Sequence, residues 1–112
     1  MLPKDLIAAS STPLVLSILA EGESYGYAII QRVRELSGAE IRWTDGMLYP
    51  VLHRMERDGV IEAHWRQSET GRERKYYRLT TKGGEALKAQ QANWLKVHNT
   101  LVKLWKLQPV SI

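Results

Sequence analysis

Apolar residues recur along the chain at two spacings, and those spacings divide it into elements. Over residues 4–20, Leu6, Leu14, Leu16, Ile18 and Leu19 predict a helix with one apolar side, ended by Glu21-Gly22-Glu23. Pro13 lies inside this run, and its missing amide predicts a kink or break near Ser11, with an isolated first turn before it. Gly26, Ile29, Ile30 and Val33 follow at helical spacing behind Ser24, a good N-cap residue, and Ser37-Gly38 closes this second helix. In Glu40-Ile41-Arg42-Trp43 charged and apolar residues alternate, which predicts a short strand added to the sheet. A third helix starts at the N-cap residue Thr44, with Asp45 placed against the helix dipole. Leu48, Val51, Leu52 and Met55 form its buried stripe, and Asp58-Gly59 ends it. Its outward face carries Asp45, Gly46, Tyr49, His53, Arg54 and Arg57. Pro50 is near the first turn, so few carbonyls lose a partner to it.

Two strands come next. In VIEAHWRQ, Ile61, Ala63 and Trp65 alternate with polar residues; in YYRLT, Tyr77 and Leu79 do the same. The basic turn SETGRERK joins them, with Gly71 at the bend. The last helix covers residues 81–107, capped by Thr80 or Thr81. At 1.5 Å per residue it is roughly 40 Å long, against about 30 Å for a small domain, so it overhangs. Its apolar residues cover about half the circumference, where packing on one neighbour needs a stripe only about 100° wide. A stripe folded back on its own domain would not need that surplus; a symmetric homodimer would. The residues assigned to dimerisation are Leu87, Trp94, Leu95, His98, Leu101, Val102 and Trp105. The predicted fold is mainly α with a small β-hairpin. A winged helix-turn-helix occupies residues 1–80, a dimerisation helix 81–107, and a tail 108–112.

Composition narrows the function. The 112 residues fit one domain, without repeats or low-complexity tracts. With no cysteine there is no disulfide, thiolate nucleophile or zinc–thiolate site, which fits a reducing cytoplasm. The longest apolar run, residues 13–20, is too short to span a bilayer, and Asp5, Ser10, Ser11 and Pro13 interrupt any signal-peptide pattern. His53, His64 and His98 lie on separate elements without metal-ligand spacing, so no metal or cofactor is expected. No serine has a nucleophile-elbow context and no glycine loop fits a phosphate, so the chain does not read as an enzyme.

Sixteen basic residues oppose twelve acidic ones, a formal charge of +4. The excess is concentrated: Arg66, Arg72, Arg74, Lys75 and Arg78 fall within thirteen residues. A solvated charged hairpin is the plain reading. A capped helix followed at once by an arginine-rich hairpin is also how a small domain grips duplex DNA. On that reading the amides of Thr44, Asp45, Gly46 and Met47 meet a phosphate at the helix N-terminus. Tyr49, His53 and Arg54 reach phosphates or base edges, and Ser24 and Tyr25 touch the backbone. Arg72, Arg74 and Lys75 follow the backbone or enter the minor groove, with Gly71 shaping the turn. An architectural or protein-interaction module without operator preference is the alternative. Trp94 has two open readings: a packing residue in the dimer seam, or one of two facing indoles that clamp a flat apolar molecule.

Three segments together resemble the PadR-like transcriptional regulators, of the short kind with one C-terminal helix: LVLSILAEGESYGYAIIQRV, TDGMLYPVLHRMERDGVIEAHW and GRERKYYRLTTKGGEAL. The resemblance runs from about Leu14 to Leu107 and accounts for Pro50, since the family carries a proline there. It implies a dimeric winged-helix repressor on an inverted-repeat operator, with Thr44 to Arg57 as recognition helix and Gln67 to Lys75 as wing. In some short members a tryptophan fifteen residues after the wing-strand leucine lines a pore between subunits and stacks on planar aromatic drugs. Counting from Leu79 lands on Trp94, which makes Trp94, Val97 and His98 the effector-binding candidates. Met47 stands where the family often has a small hydroxyl residue, and His98 where a drug-binding member has a carboxylate.

Overall fold

The computed structural model describes residues 2–107. Their order is α1 (Lys4–Ala20), β1 (Ser24–Tyr25), α2 (Gly26–Leu36), α3 (Asp45–Arg57), β2 (Ile61–Gln67), β3 (Glu73–Leu79) and α4 (Thr81–Leu107). The expected tail, 108–112, lies outside the described residues. The three-stranded antiparallel sheet has the order β1-β3-β2. Its core is closed by Val15, Leu16 and Leu19 of α1, Ile29 and Val33 of α2, and Leu48, Leu52 and Met55 of α3. Ile61 and Tyr77 bring the sheet into the same cluster. This is the expected winged helix-turn-helix with a long terminal helix.

Several local expectations change. α1 runs unbroken through Pro13. Residues on both sides of the proline are buried, Ile7 and Ser11 before it, Val15 and Leu16 after it, and that burial outweighs one lost hydrogen bond. The hydroxyls of Ser10 and Ser11 donate back to the carbonyls of Leu6 and Ile7, each at 2.9 Å. Leu6 is exposed, and Ile7 and Val15 take the inward positions. Ser24 does not cap α2; it is the first residue of β1, and extended Tyr25 precedes the helix without a side-chain cap bond. Residues 40–43 form no strand. Both edges of β3 are already taken by β1 and β2, so Ile41 and Trp43 bury their side chains in the core instead. β3 starts at Glu73, which moves Arg74 and Lys75 out of the turn and into the strand.

Two connections set the geometry of the ends. Arg32 of α2 donates to both carboxylate oxygens of Glu21 just after α1, at 3.0 and 2.7 Å. Those hydrogen bonds hold the Glu21 carboxyl below its ordinary pKa. At the other end Thr80 caps α4: its hydroxyl donates to the Gly59 carbonyl at 2.6 Å and accepts from the Gly83 amide at 3.0 Å. Gly83 then backs directly onto β2's approach. A Cβ there would lie 1.9 Å from the Val60 carbonyl oxygen.

Tyr77 is fully buried, and among the described residues its hydroxyl has no hydrogen-bond partner. Burial, then the nearby Glu56 charge, pushes its pKa up to about 12. An unfolded tyrosine ionises near pH 10. Stability is therefore intact below pH 10 and falls as pH rises from 10 towards 12, because only the unfolded chain gains the phenolate there.

Gly83→Ala should destabilise the fold by about 3 kcal/mol or more, because backbone has to move; thermal unfolding with a loss below about 1 kcal/mol would show the contact to be yielding. Tyr77→Phe should keep or raise stability at pH 7, by up to about 1 kcal/mol. It should also move the alkaline unfolding midpoint upward, read by circular dichroism; an unshifted midpoint would clear Tyr77 of that role.

Candidate nucleic-acid interface

Helix α3 presents its outward face because its inward stripe, Leu48, Leu52 and Met55, is fully used by the core. Thr44 caps it, with its Oγ1 accepting from the Met47 amide at 3.3 Å. The same amide also meets the Thr44 carbonyl at 3.1 Å, so Met47 spends its N–H within the cap. Asp45 and Gly46 remain in the first turn, where amides precede the intrahelical ladder. Asp45, Gly46, Met47, Tyr49, His53 and Arg54 are all exposed. Tyr49 and His53 stand one turn apart with ring centroids 6.2 Å from each other.

Tyr49 leans over the start of α2. A Cβ on Gly26 would lie 2.8 Å from the Tyr49 hydroxyl, so a larger residue there would push the end of the Tyr49 side chain aside. Beside this contact a cleft of about 410 Å³ separates the helices from the hairpin. Tyr25 of β1, Gly26 and Tyr27 of α2 and Tyr49 of α3 form one side; Trp65, Arg72, Glu73, Arg74 and Lys75 form the hairpin side. The turn between the strands is residues 68–72, with Gly71 at φ +81°.

The hairpin's cations have different partners. Arg66 pairs with Glu23 and lies 3.8 Å over the Tyr76 ring. Lys75 reaches Glu56 of α3 at 3.7 Å, and Arg78 reaches Glu62 at 2.7 Å. Arg74 lies 4.4 Å over the Tyr25 ring. Among the described residues neither Arg72, Arg74 nor Arg54 has a carboxylate partner. Of the sequence-predicted set, Tyr25, Tyr49, Arg72, Arg74 and Lys75 line this one cleft, and Lys75 is ion-paired there.

Two residues escaped the sequence reading. Trp65 was expected to face inward with Ile61 and Ala63, yet it is 65% exposed. β2 runs on past the helical layer, so the inward register finds no core at its far end; nearness to the turn was the available signal. Tyr27 is equally exposed and lines the cleft. It stands off the Ile29–Val33 stripe, which is readable from helical spacing.

The effector-binding candidates lie elsewhere. Trp94 and His98 line a groove of about 690 Å³ between α4 and α1, with Pro13, Ser17, Leu87 and Leu95. The Trp94 Nε1 donates to Gln90 Oε1 at 3.2 Å. Val97 does not line the groove and is exposed. Among the described residues no three His, Asp or Glu side chains gather as metal ligands, and no helix is long and apolar enough to cross a membrane.

Known proteins share this arrangement. A regulator from Clostridium thermocellum superposes with a TM-score of 0.82 at 29% identity, covering 92% of this chain and 97% of that one. A PadR-like transcriptional regulator from Bacillus cereus also gives 0.82 at 29% identity, with 96% and 100% covered. Transcriptional regulator Rv3488 of Mycobacterium tuberculosis is 40% identical over 73 residues, 65% of this chain and 64% of that protein. Residues 15–89 match the family described as transcriptional regulator PadR-like, and on that match the chain belongs to the PadR-like family of transcriptional regulators.

Proposed function

We propose that this regulator is a homodimeric, sequence-specific DNA-binding repressor that a small planar aromatic effector releases. One observation carries the reading: Tyr49 on the exposed face of α3 borders the same cleft as Arg72 of the turn and Arg74 of β3, two arginines without a carboxylate partner among the described residues. α3 enters the major groove. There Arg54 donates to guanine or phosphate, Asp45 accepts from a cytosine amine, and Met47 packs on a thymine methyl. The first-turn amides of Asp45 and Gly46, with Ser24, Tyr25 and the Tyr49 hydroxyl, take backbone phosphates. Thr44 keeps that first turn in shape, and His53 extends the contacts. Arg72 and Arg74 follow the backbone beside the groove, and Gly71 lets the turn lie against it.

The second half of α4 supports the dimer. From residue 91 to 107 only Val102 is even half-buried, although Trp94, Leu95, Leu101, Leu104 and Trp105 lie there. Leu87, Gln91, Trp94, His98, Leu101 and Trp105 alternate at spacings of four and three, the seam of a two-helix coil. A two-fold pair joined along it offers two reading heads to half-sites one helical turn apart, about 34 Å. A flat aromatic molecule between Trp94 and its symmetry mate would alter that spacing.

Selection of bound duplexes from a random pool should recover an inverted repeat, preferred over bulk DNA by about 10³ or more. Salt-dependent binding without preference would instead mark an architectural protein, and no binding a protein-interaction module. Arg72→Ala with Arg74→Ala should weaken operator binding and flatten its salt slope by about 0.9 per lost phosphate contact. An unchanged slope would remove the turn from the interface. Planar dyes should quench indole fluorescence in the dimer and fail to do so after Trp94→Ala; normal titration in the variant would end the effector reading.

A further inference from the structure

Glu23 occupies a position that the DNA-binding reading leaves unexplained. It lies in the link between α1 and β1, forty-three residues from Arg66, yet its carboxylate pairs with the Arg66 guanidinium. Its second oxygen is 3.2 Å from His64 Nε2. Both partners belong to β2 and project from the outer face of the sheet, where they flank Tyr76. Arg66 lies on the Tyr76 ring at 3.8 Å, and Tyr76 meets Tyr25 edge to face at 5.3 Å. Arg74 then covers Tyr25 at 4.4 Å. A continuous row therefore runs from the link through the hairpin: Glu23, Arg66, Tyr76, Tyr25 and Arg74, an ion pair and an arginine on either side of two packed rings.

The row constrains Arg66 twice, by a carboxylate and by a ring that is itself buried to 7% exposure. The Glu23 side chain is 28% exposed, against 52% for Glu62 in the Arg78 pair. Less solvent screening makes the Glu23 pair the firmer of the two. His64 Nε2 flanks the same carboxylate at 3.2 Å.

We infer that Glu23 is a specificity-determining positioning residue: it withholds Arg66 from phosphate and pins the hairpin to the helix pair. This rests on the DNA-binding reading. Nonspecific affinity is almost wholly electrostatic, and a free, mobile arginine near the duplex adds to it on any sequence. A hairpin held at one angle favours only the duplex that fits α3 and the turn together, because the ordering cost is met before binding. Glu23 acts on both terms in the same direction. It lowers binding to bulk DNA and preserves binding to the operator.

Three variants of the full-length protein test this, with the salt slope and the operator-to-bulk affinity ratio as readouts. Glu23→Gln should steepen the slope by about 0.9 per copy, raising bulk affinity roughly eightfold for each tenfold fall in salt. The affinity ratio should fall. Arg66→Gln should leave the slope at the wild-type value, since that side chain neutralises no phosphate. Glu23→Gln with Arg66→Gln should return the slope to the wild-type value, which a merely structural role for Glu23 would not do. An unchanged slope in Glu23→Gln overturns the inference. So does a slope flattened by about 0.9 per copy in Arg66→Gln, because Arg66 would then be a phosphate ligand. The second test stands even where the first variant fails to fold. Wild-type protein without salt-dependent duplex binding would sink the DNA-binding reading and this inference with it; a normal wild-type slope with unmoved variants sinks the inference alone.

Discussion

Tyr76 and Tyr77 are neighbours in β3, point to opposite faces of the sheet, and are both buried. The other layers depend on that pair of burials. Tyr77 closes the core against α1, α2 and α3, and Tyr76 is covered by Tyr25, His64 and Arg66. Half-buried sheets usually leave one face wet. Here the second face is dry only locally, under side chains that also carry charge. The central strand thereby joins the helix pair to the hairpin on both sides, and the angle between them follows from two aromatic contacts rather than from backbone pairing alone. β1 is two residues long, too short to set that angle unaided.

The charges around this joint differ in role although they differ little in type. Arg66, Arg78 and Lys75 meet carboxylates from three different elements. Arg72 and Arg74 meet none among the described residues. A count of basic residues treats these five alike, but an arginine bound by a carboxylate within its own chain is poorly placed to release a counterion from DNA. The hairpin's capacity for a polyanion is thus smaller and more localised than its composition implies.

α4 belongs to two environments. Its first turns are held by Thr80, by the contact of Gly83 with Val60 and by Leu87 against the core. Its later turns project, and the molecule extends to 56 Å against 28 and 21 Å in the other directions. A single domain has no use for Leu101, Leu104 and Trp105 on such an overhang. The rigid attachment at one end couples the projecting turns to the helices and the sheet.

Much of this was legible from periodicity. The stripe Leu48, Leu52, Met55, the cap at Thr44, the bend at Gly71 and the overhang of residues 81–107 all follow from local spacing, because each depends on neighbours within one or two turns. The family resemblance rested on the same short segments. What spacing could not supply was anything that joins distant segments. Ser24–Tyr25 is the third strand in place of residues 40–43 because β3 has one edge left beside β2 and those two residues pair along it. Pro13 stayed helical because burial on both sides outweighed its local preference. Trp65 turned outward because the layer beneath it had ended, and Arg66 was taken by Glu23 from forty-three residues away. The chain's own order determines its elements through short-range backbone and packing preferences; which charges stay available, and which strand completes the sheet, is settled only when those elements meet in space.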